Sequence, residues 1–353
     1  MTSIIESAVV PTPQKPWRHR GRNWRQAAIM SITSLIGAWF LLRFTGLSGI
    51  LGAYIAFVLV FPIVAFFASL PYGQKTGQDR MATAVICLAF SSAFIPWCSI
   101  LFTVLNRGRQ AFYLGFLTTD MLVNTGDDPL NVGGLSHAII GTLILVLIAS
   151  LIAIPLGVIA AIYIVEVKGR LSGYVRFFTQ AMSGVPSIVA GLFIFTTIVT
   201  VFNQFSALAG GLALAILMLP TVARTSEEVL KLVPEDLRAA SYAMGASQFS
   251  TVIRIVLPTV RSGLITAAIL GVARVAGETA PLLLTSQYFV KFSTKLTGGP
   301  IASLPTYVFD NLTRGSDNSV ARAWGGSAVL LSIIFILFVS ARLLGGRNTR
   351  SNR

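Results

Sequence analysis

Arg274 stands inside an apolar stretch that runs from about residue 262 to 284. Placing a guanidinium in such a stretch costs at least about 3 kcal/mol on membrane-insertion scales. At about 12 residues, or roughly 18 Å, from the start of the stretch it lies near the middle of a bilayer. An arginine at that depth is a candidate for attracting an anion. Glu278 follows four residues later, on the same helix face and at the spacing at which Arg and Glu pair. Two readings stay open. The carboxylate tempers the hold of Arg274 on a passing anion, or the two form a buried salt bridge that fixes helix packing. Gly277 and Pro281 flank Glu278 and loosen the helix, as expected where backbone lines a cavity. Arg224 and Glu227 form a second, shallower candidate pair, for which an ordinary interfacial charge pair is the alternative.

Other chemistry is hard to build from this chain. A glycine-rich turn ending in Lys and Ser or Thr, which would cradle nucleotide phosphates, does not occur. His19 and His137 are isolated, so no metal site is expected, and no Ser, His and Asp constellation can be argued. Cys87 and Cys98, eleven residues apart on one apolar helix, would lie roughly 16 Å apart along its axis. They read as packed side chains. The chain is expected to be no enzyme and to bind no cofactor itself.

The elements that hold these residues follow from composition. The 353 residues are 54% hydrophobic and 11% charged, with a mean hydropathy of +0.76, whereas a soluble domain carries about a quarter charged residues. A water-soluble enzyme is excluded. Apolar runs long enough to cross about 30 Å of hydrocarbon lie near 27–43, 47–70, 81–105, 137–164, 180–202, 206–223, 262–284 and 323–343. The expected fold is an all-α polytopic membrane protein of about eight transmembrane helices with both termini on one side. With the N-terminus inside, 19 of the 27 Lys and Arg residues fall in inner segments, seven in outer ones, and Arg274 within a span. That asymmetry is the positive-inside pattern. The net charge of +14 thus reads as topology and attraction to anionic lipid, not as nucleic-acid binding. Residues 1–26 read as a disordered basic cytoplasmic tail and 344–353 as a second basic tail. Two long outer loops complete the plan: 106–136, with an amphipathic piece around Phe112, Tyr113, Phe116 and Leu117, and 286–322, an irregular cap.

The inner loop 224–261 is polar yet patterned for order. Glu227 and Glu228, then Glu235 and Asp236, place acids near helix starts, where the helix dipole favours them. Ala239, Ala240, Ala243 and Met244 supply helix propensity, and Gly245 ends that helix. A second short helix carries Phe249, Val252, Ile253 and Val256 at helical spacing before Pro258 stops it. Two angled helices beneath the membrane form a shape another protein can grip; a loop lying on the headgroups is the alternative.

The spacing of Gly245, Ile255, Leu257 and Pro258 resembles the cytoplasmic coupling loop of bacterial ABC importer permeases. Ala239, Ala240 and Ser241 occupy the opening Glu-Ala-Ala of that signature, so the family's glutamate is absent, while Glu235 and Asp236 lie one turn earlier. Further strings resemble the phosphate-specific, PstA-type branch. They are Gly141-Thr142-Leu143, Ile154-Pro155-Leu156-Gly157, Gly184-Val185-Pro186-Ser187, Leu219-Pro220 with Arg224-Thr225 and Glu227, and the run from Ala273 through Gly277, Glu278 and Pro281 to Leu282.

The resemblance covers about residues 81–343 and implies a six-helix type I importer core there, preceded by a two-helix extension at 27–80. It implies helix kinks or close packing at Pro155, Pro186, Pro220, Gly277 and Pro281. It further implies a heteromeric pore with a second, related permease (PstC-type). A dimeric ATPase (PstB-type), which holds the ATP and Mg, would grip the 224–261 loop, and an extracytoplasmic phosphate-binding protein (PstS-type) would dock outside. The implied location is a bacterial inner membrane and the implied cargo inorganic phosphate. Other oxyanions such as sulfate, molybdate or a phosphonate are alternatives, as are an ion-coupled anion carrier and a membrane sensor or scaffold.

Overall fold

The computed structural model describes residues 24–46 and 49–346. The basic tails therefore lie mostly outside the described residues, but helix α1 begins at Trp24 and the last helix runs to Gly346, each inside a segment expected to be tail. Among the described residues every regular element is helical. In order these are α1 (Trp24–Thr45), α2 (Gly49–Phe67), α3 (Gln74–Gly108), α4 (Ser136–Ile162), α5 (Ser172–Ser183), α6 (Ser187–Ile194), α7 (Ala207–Lys231), α8 (Glu235–Ala243), α9 (Gln248–Thr251), α10 (Arg261–Ala276), α11 (Ala280–Thr285), α12 (Leu304–Arg314) and α13 (Asp317–Gly346). Six are long and apolar enough to cross a membrane, and two bent pairs raise the number to as many as eight. The fold is thus the expected all-α membrane architecture.

The chain divides into two compact units at Ile100 and Leu101. In the first, α1 and α2 pack through small residues: Val60 lies against Gly37, and Ser34, Ala38 and Ala56 are buried. Tyr54 on α2 hydrogen-bonds Ser92 on α3. The extension was expected to end at residue 80, but α3 runs unbroken from Gln74 to Gly108. That boundary falls within a helix, because Gln74, Lys75, Asp79 and Arg80 interrupt the apolar run without breaking the backbone ladder.

In the second unit α4 and α7 form the spine of the core. Leu145, Ala149 and Ala153 on α4 meet Leu214, Met218 and Val222 on α7, and Val275 on α10 and Leu282 on α11 close the cluster. Hydrocarbon offers no hydrophobic drive between helices, so close approach through small residues does the work. At Gly141 a methyl group would overlap the Ala302 carbonyl oxygen, and at Gly191 it would lie 2.6 Å from the Pro281 Cα. Gly141 thus seats the cap on α4, and Gly191 seats α11 on α6.

Several spans differ from expectation. The run 180–202 is not one rod: α5 and the helix from Ser187 meet at 104°, because Pro186 holds an extended backbone (ψ 137°) and cannot donate to a continuing ladder. The run 262–284 breaks after Ala276, at Gly277, and resumes as α11. Pro155 and Pro220, by contrast, lie inside continuous helices. The amphipathic piece at 112–117 forms turns and not a helix, and Phe116 is fully buried, in a cluster with Leu135 and Tyr307. The irregular cap contains α12, started by a Ser303–Thr306 capping box. Arg322, fully buried, ties α13 to the other outer loop by donating to the carbonyls of Asp128, Pro129 and Gly133.

Candidate functional site

The 224–261 loop is shorter than expected, because α7 continues through Lys231. Beyond Lys231 the chain builds a two-helix knob. Pro234 precedes α8, and Glu235 and Asp236 occupy its first turn, where the dipole favours them. Gly245 adopts φ +81°, a left-handed geometry that costs an L-residue roughly 1–2 kcal/mol, and so reverses the chain. Ser247 then caps α9 by accepting from the Ser250 N–H. Pro258 does not stop this second helix. A π turn spans Val252–Val256 and the helix continues through Leu257–Thr259. The missing N–H of proline is accommodated by the slipped ladder before it. The chain bends only at Val260, by 73°, into α10.

One buried ion pair anchors the knob. Arg238 on α8 donates to Glu166, in the π turn that extends α4, at 2.7 and 3.1 Å. The two side chains are 10% and 3% exposed. The guanidinium also donates to the carbonyls of Leu230 (3.1 Å), in the last turn of α7, and Val233 (2.7 Å), just beyond it. Hydrogen bonding to Glu166 raises the Arg238 pKa further above its ordinary value, so the guanidinium is charged at any working pH. Gln248 donates to the Glu166 carbonyl at 2.6 Å, and Ser241 and Thr251 join α8 to α9 at 2.8 Å. Ile255 and Leu257 are half-buried, whereas Ala239, Ala240 and Pro258 are exposed. Tyr242, Met244 and Phe249 are exposed too, Met244 by 88% and Phe249 by 78%. The knob therefore presents an apolar crown on a charged, rigid root. Sequence reading missed Glu166 and Arg238, because 72 residues separate them; two charges beside alanine-rich helix ends were the only signal.

The expected Arg274–Glu278 pair does not form. Helix α10 ends at Ala276, so Glu278 is not one helical turn from Arg274 on a shared face. Arg274 instead donates to Thr221 Oγ1 on α7 at 2.9 Å and is otherwise exposed. Its place in the last turn of α10 is favoured by the helix dipole. Glu278 is half-buried at the break. The Arg224–Glu227 pair does not form either. Glu227 faces inward, 7% exposed, between Arg176 of α5 at 3.0 Å and Lys231 at 2.9 Å. Arg224 points outward three residues from Thr221, which places it on the same face of α7. Two guanidinia without a carboxylate partner among the described residues thus follow one stripe, Arg274 above and Arg224 one turn nearer the knob.

Residues 153–350, which hold the knob, Arg224 and Arg274, match the pattern of the binding-protein-dependent transport system inner membrane component. The phosphate transport system permease protein PstA 1 of Mycobacterium tuberculosis is 37% identical over 278 residues, 78% of this chain and 90% of that protein. PstA of Yersinia pestis is 37% identical over 77% of this chain and 90% of its own length, and PstA of Haemophilus influenzae 36% over 77% and 95%. A chain of the MetNI methionine ABC transporter, solved in inward-facing conformations, overlays with a TM-score of 0.49 at 18% identity, covering 60% of this chain and 93% of that one. With its pattern matched over more than half the length and relatives of this identity spanning three quarters of it, the chain belongs to the family of binding-protein-dependent transport system inner membrane components.

Proposed function

We propose that the chain is one permease subunit of an ATP-driven importer of inorganic phosphate. It supplies half of a heteromeric pore in a bacterial inner membrane, with both termini cytoplasmic. The observation that carries the reading is the identity of 36–37% with PstA phosphate permeases over most of both lengths. The Arg274 guanidinium, which has no carboxylate partner among the described residues, supports it, being a cation kept in an apolar helix at a cost that an anion path justifies.

The mechanism follows from the two ends of α10. A cytoplasmic ATPase dimer grips the apolar crown at Met244 and Phe249. Because Arg238 and Glu166 lock the knob to α4, a push on the crown moves α4, and the 73° bend at Val260 passes it to α10. Arg274 swings with α10 while hydrogen-bonded to Thr221 on α7. Phosphate handed over by an extracytoplasmic binding protein meets Arg274 first, whose planar fork suits two oxygens of one phosphate. It then meets Arg224, one turn along the stripe. A second, related permease lines the opposite wall. The outer cap, held rigid by buried Arg322, offers the surface on which the binding protein docks.

The test is phosphate uptake in cells lacking their own high-affinity system and supplied with this chain and its partner subunits. Uptake should be saturable, ATP-dependent and lost in Arg274→Gln with the complex still assembled. Uptake in which excess sulfate or molybdate competes as well as phosphate would overturn the substrate. Anion flux through the chain reconstituted alone would overturn the importer reading.

A further inference from the structure

Helices α10 and α13 leave an apolar groove between them. Its volume is about 220 Å³, and Ile265, Ile269 and Val272 face Ile334, Leu337 and Phe338 across it. The helices run antiparallel, since α11 leads from the end of α10 into the cap from which α13 starts. The deepest lining residues towards the knob are therefore Ile265 and Phe338. One helical turn beyond each, on the same face, stands an arginine: Arg261 at the first position of α10 and Arg342 near the end of α13. Both are exposed, and neither makes an ion pair among the described residues. One end of an apolar groove thus carries two guanidinia without a carboxylate partner among the described residues, one from each wall.

The chemistry of the lining decides what fits, since every residue that faces the groove is apolar. Purely apolar walls suit an acyl chain and offer a soluble anion nothing, while the paired guanidinia match a phosphodiester.

We infer that this groove is a specific site for an anionic phospholipid, with one acyl chain between α10 and α13 and the headgroup phosphate held by Arg261 and Arg342. The site borders the helix that carries Arg274, and it stands independently of which solute that helix serves.

Native mass spectrometry of the complex in mild detergent tests it, with phosphatidylglycerol and phosphatidylcholine of identical acyl chains as probes. Phosphatidylglycerol should be retained about thirtyfold better than phosphatidylcholine, the gain expected from two surface arginines. Arg261→Gln with Arg342→Gln, both at exposed positions, should abolish that preference. Ala268→Phe, which fills the groove and spares both arginines, should reduce retention of both lipids. Inorganic phosphate at millimolar concentration should displace neither. Equal retention of the two lipids by the unmodified chain, an unchanged preference in the double variant, or displacement by inorganic phosphate would each overturn the site. So would photocrosslinking from Leu337 that captures a protein helix in place of lipid.

Discussion

Arg238→Met strips the knob of its anchor while keeping a side chain of similar length. It leaves the Glu166 carboxylate, whose side chain is 3% exposed, without a counter-ion. Removing one partner of a buried pair costs about 3–5 kcal/mol. Loss of the donors to the Leu230 and Val233 carbonyls adds on the order of 1 kcal/mol each where water does not replace them. The root of the knob is local, so the cost should appear as opening of residues 235–259 and not as unfolding of the α4 and α7 core. Amide exchange in that segment should accelerate at least about a hundredfold, since each 1.4 kcal/mol is a factor of ten. Exchange in the core should stay as it was. Hydrogen exchange with mass spectrometry on the assembled complex reads both, and ATPase activity measured in parallel should lose its dependence on transport. Arg238→Met combined with Glu166→Leu removes both charges and should be milder than either single change, because an apolar pair of similar volume replaces a buried ion pair at little net cost. Exchange in 235–259 changed less than about tenfold in both single variants, or a double variant as damaged as the sum of the two, would refute the anchoring role.

The remaining predictions concern the stripe, the turn, the elbow and the extension. Arg274→Gln should abolish uptake and Arg274→Lys retain a fraction at most, whereas Glu278→Gln should be mild, because Arg274 bonds Thr221; uptake kinetics at matched protein levels decide, and Thr221→Ala should fall between. Gly245→Val forces a β-branched residue into a left-handed turn at a cost of roughly 1–2 kcal/mol or more, so ATPase co-purification should drop while membrane insertion is kept; full recovery of the ATPase would count against the knob as its grip. Glu227→Gln leaves Arg176 and Lys231 without their shared carboxylate and should loosen α5 from α7, seen as faster exchange in residues 172–183. Removing residues 1–73 takes α1 and α2 but keeps α3 whole, and some uptake should survive; complete loss in an assembled complex would place those helices in the pathway.

The chain reveals before it folds whatever a local pattern encodes. Runs of apolar residues mark the spans because the bilayer thickness sets their length, and Gly245 marks a chain reversal because few other residues adopt its φ. The spacing from Gly245 to Pro258 carried the resemblance to a coupling loop for the same reason, since one segment contains it all. Partners across space are another matter. Arg274 and Glu278 looked paired because helical periodicity was assumed to continue past Ala276, but the helix ends at Gly277, read as loosening it, and Pro281 stands in the first turn of the next one. Glu227 found Arg176 across a 104° elbow at Pro186 that no periodicity reports. The union of Arg238 with Glu166 needed the end of α4 to come beneath the start of α8. Charges in a low-dielectric interior take whichever opposite charge the packing delivers, and packing here is decided by small residues on α4, α7 and α10 that let the backbones approach. Element identity was therefore local information, while the choice of each charge's partner belonged to the tertiary structure alone.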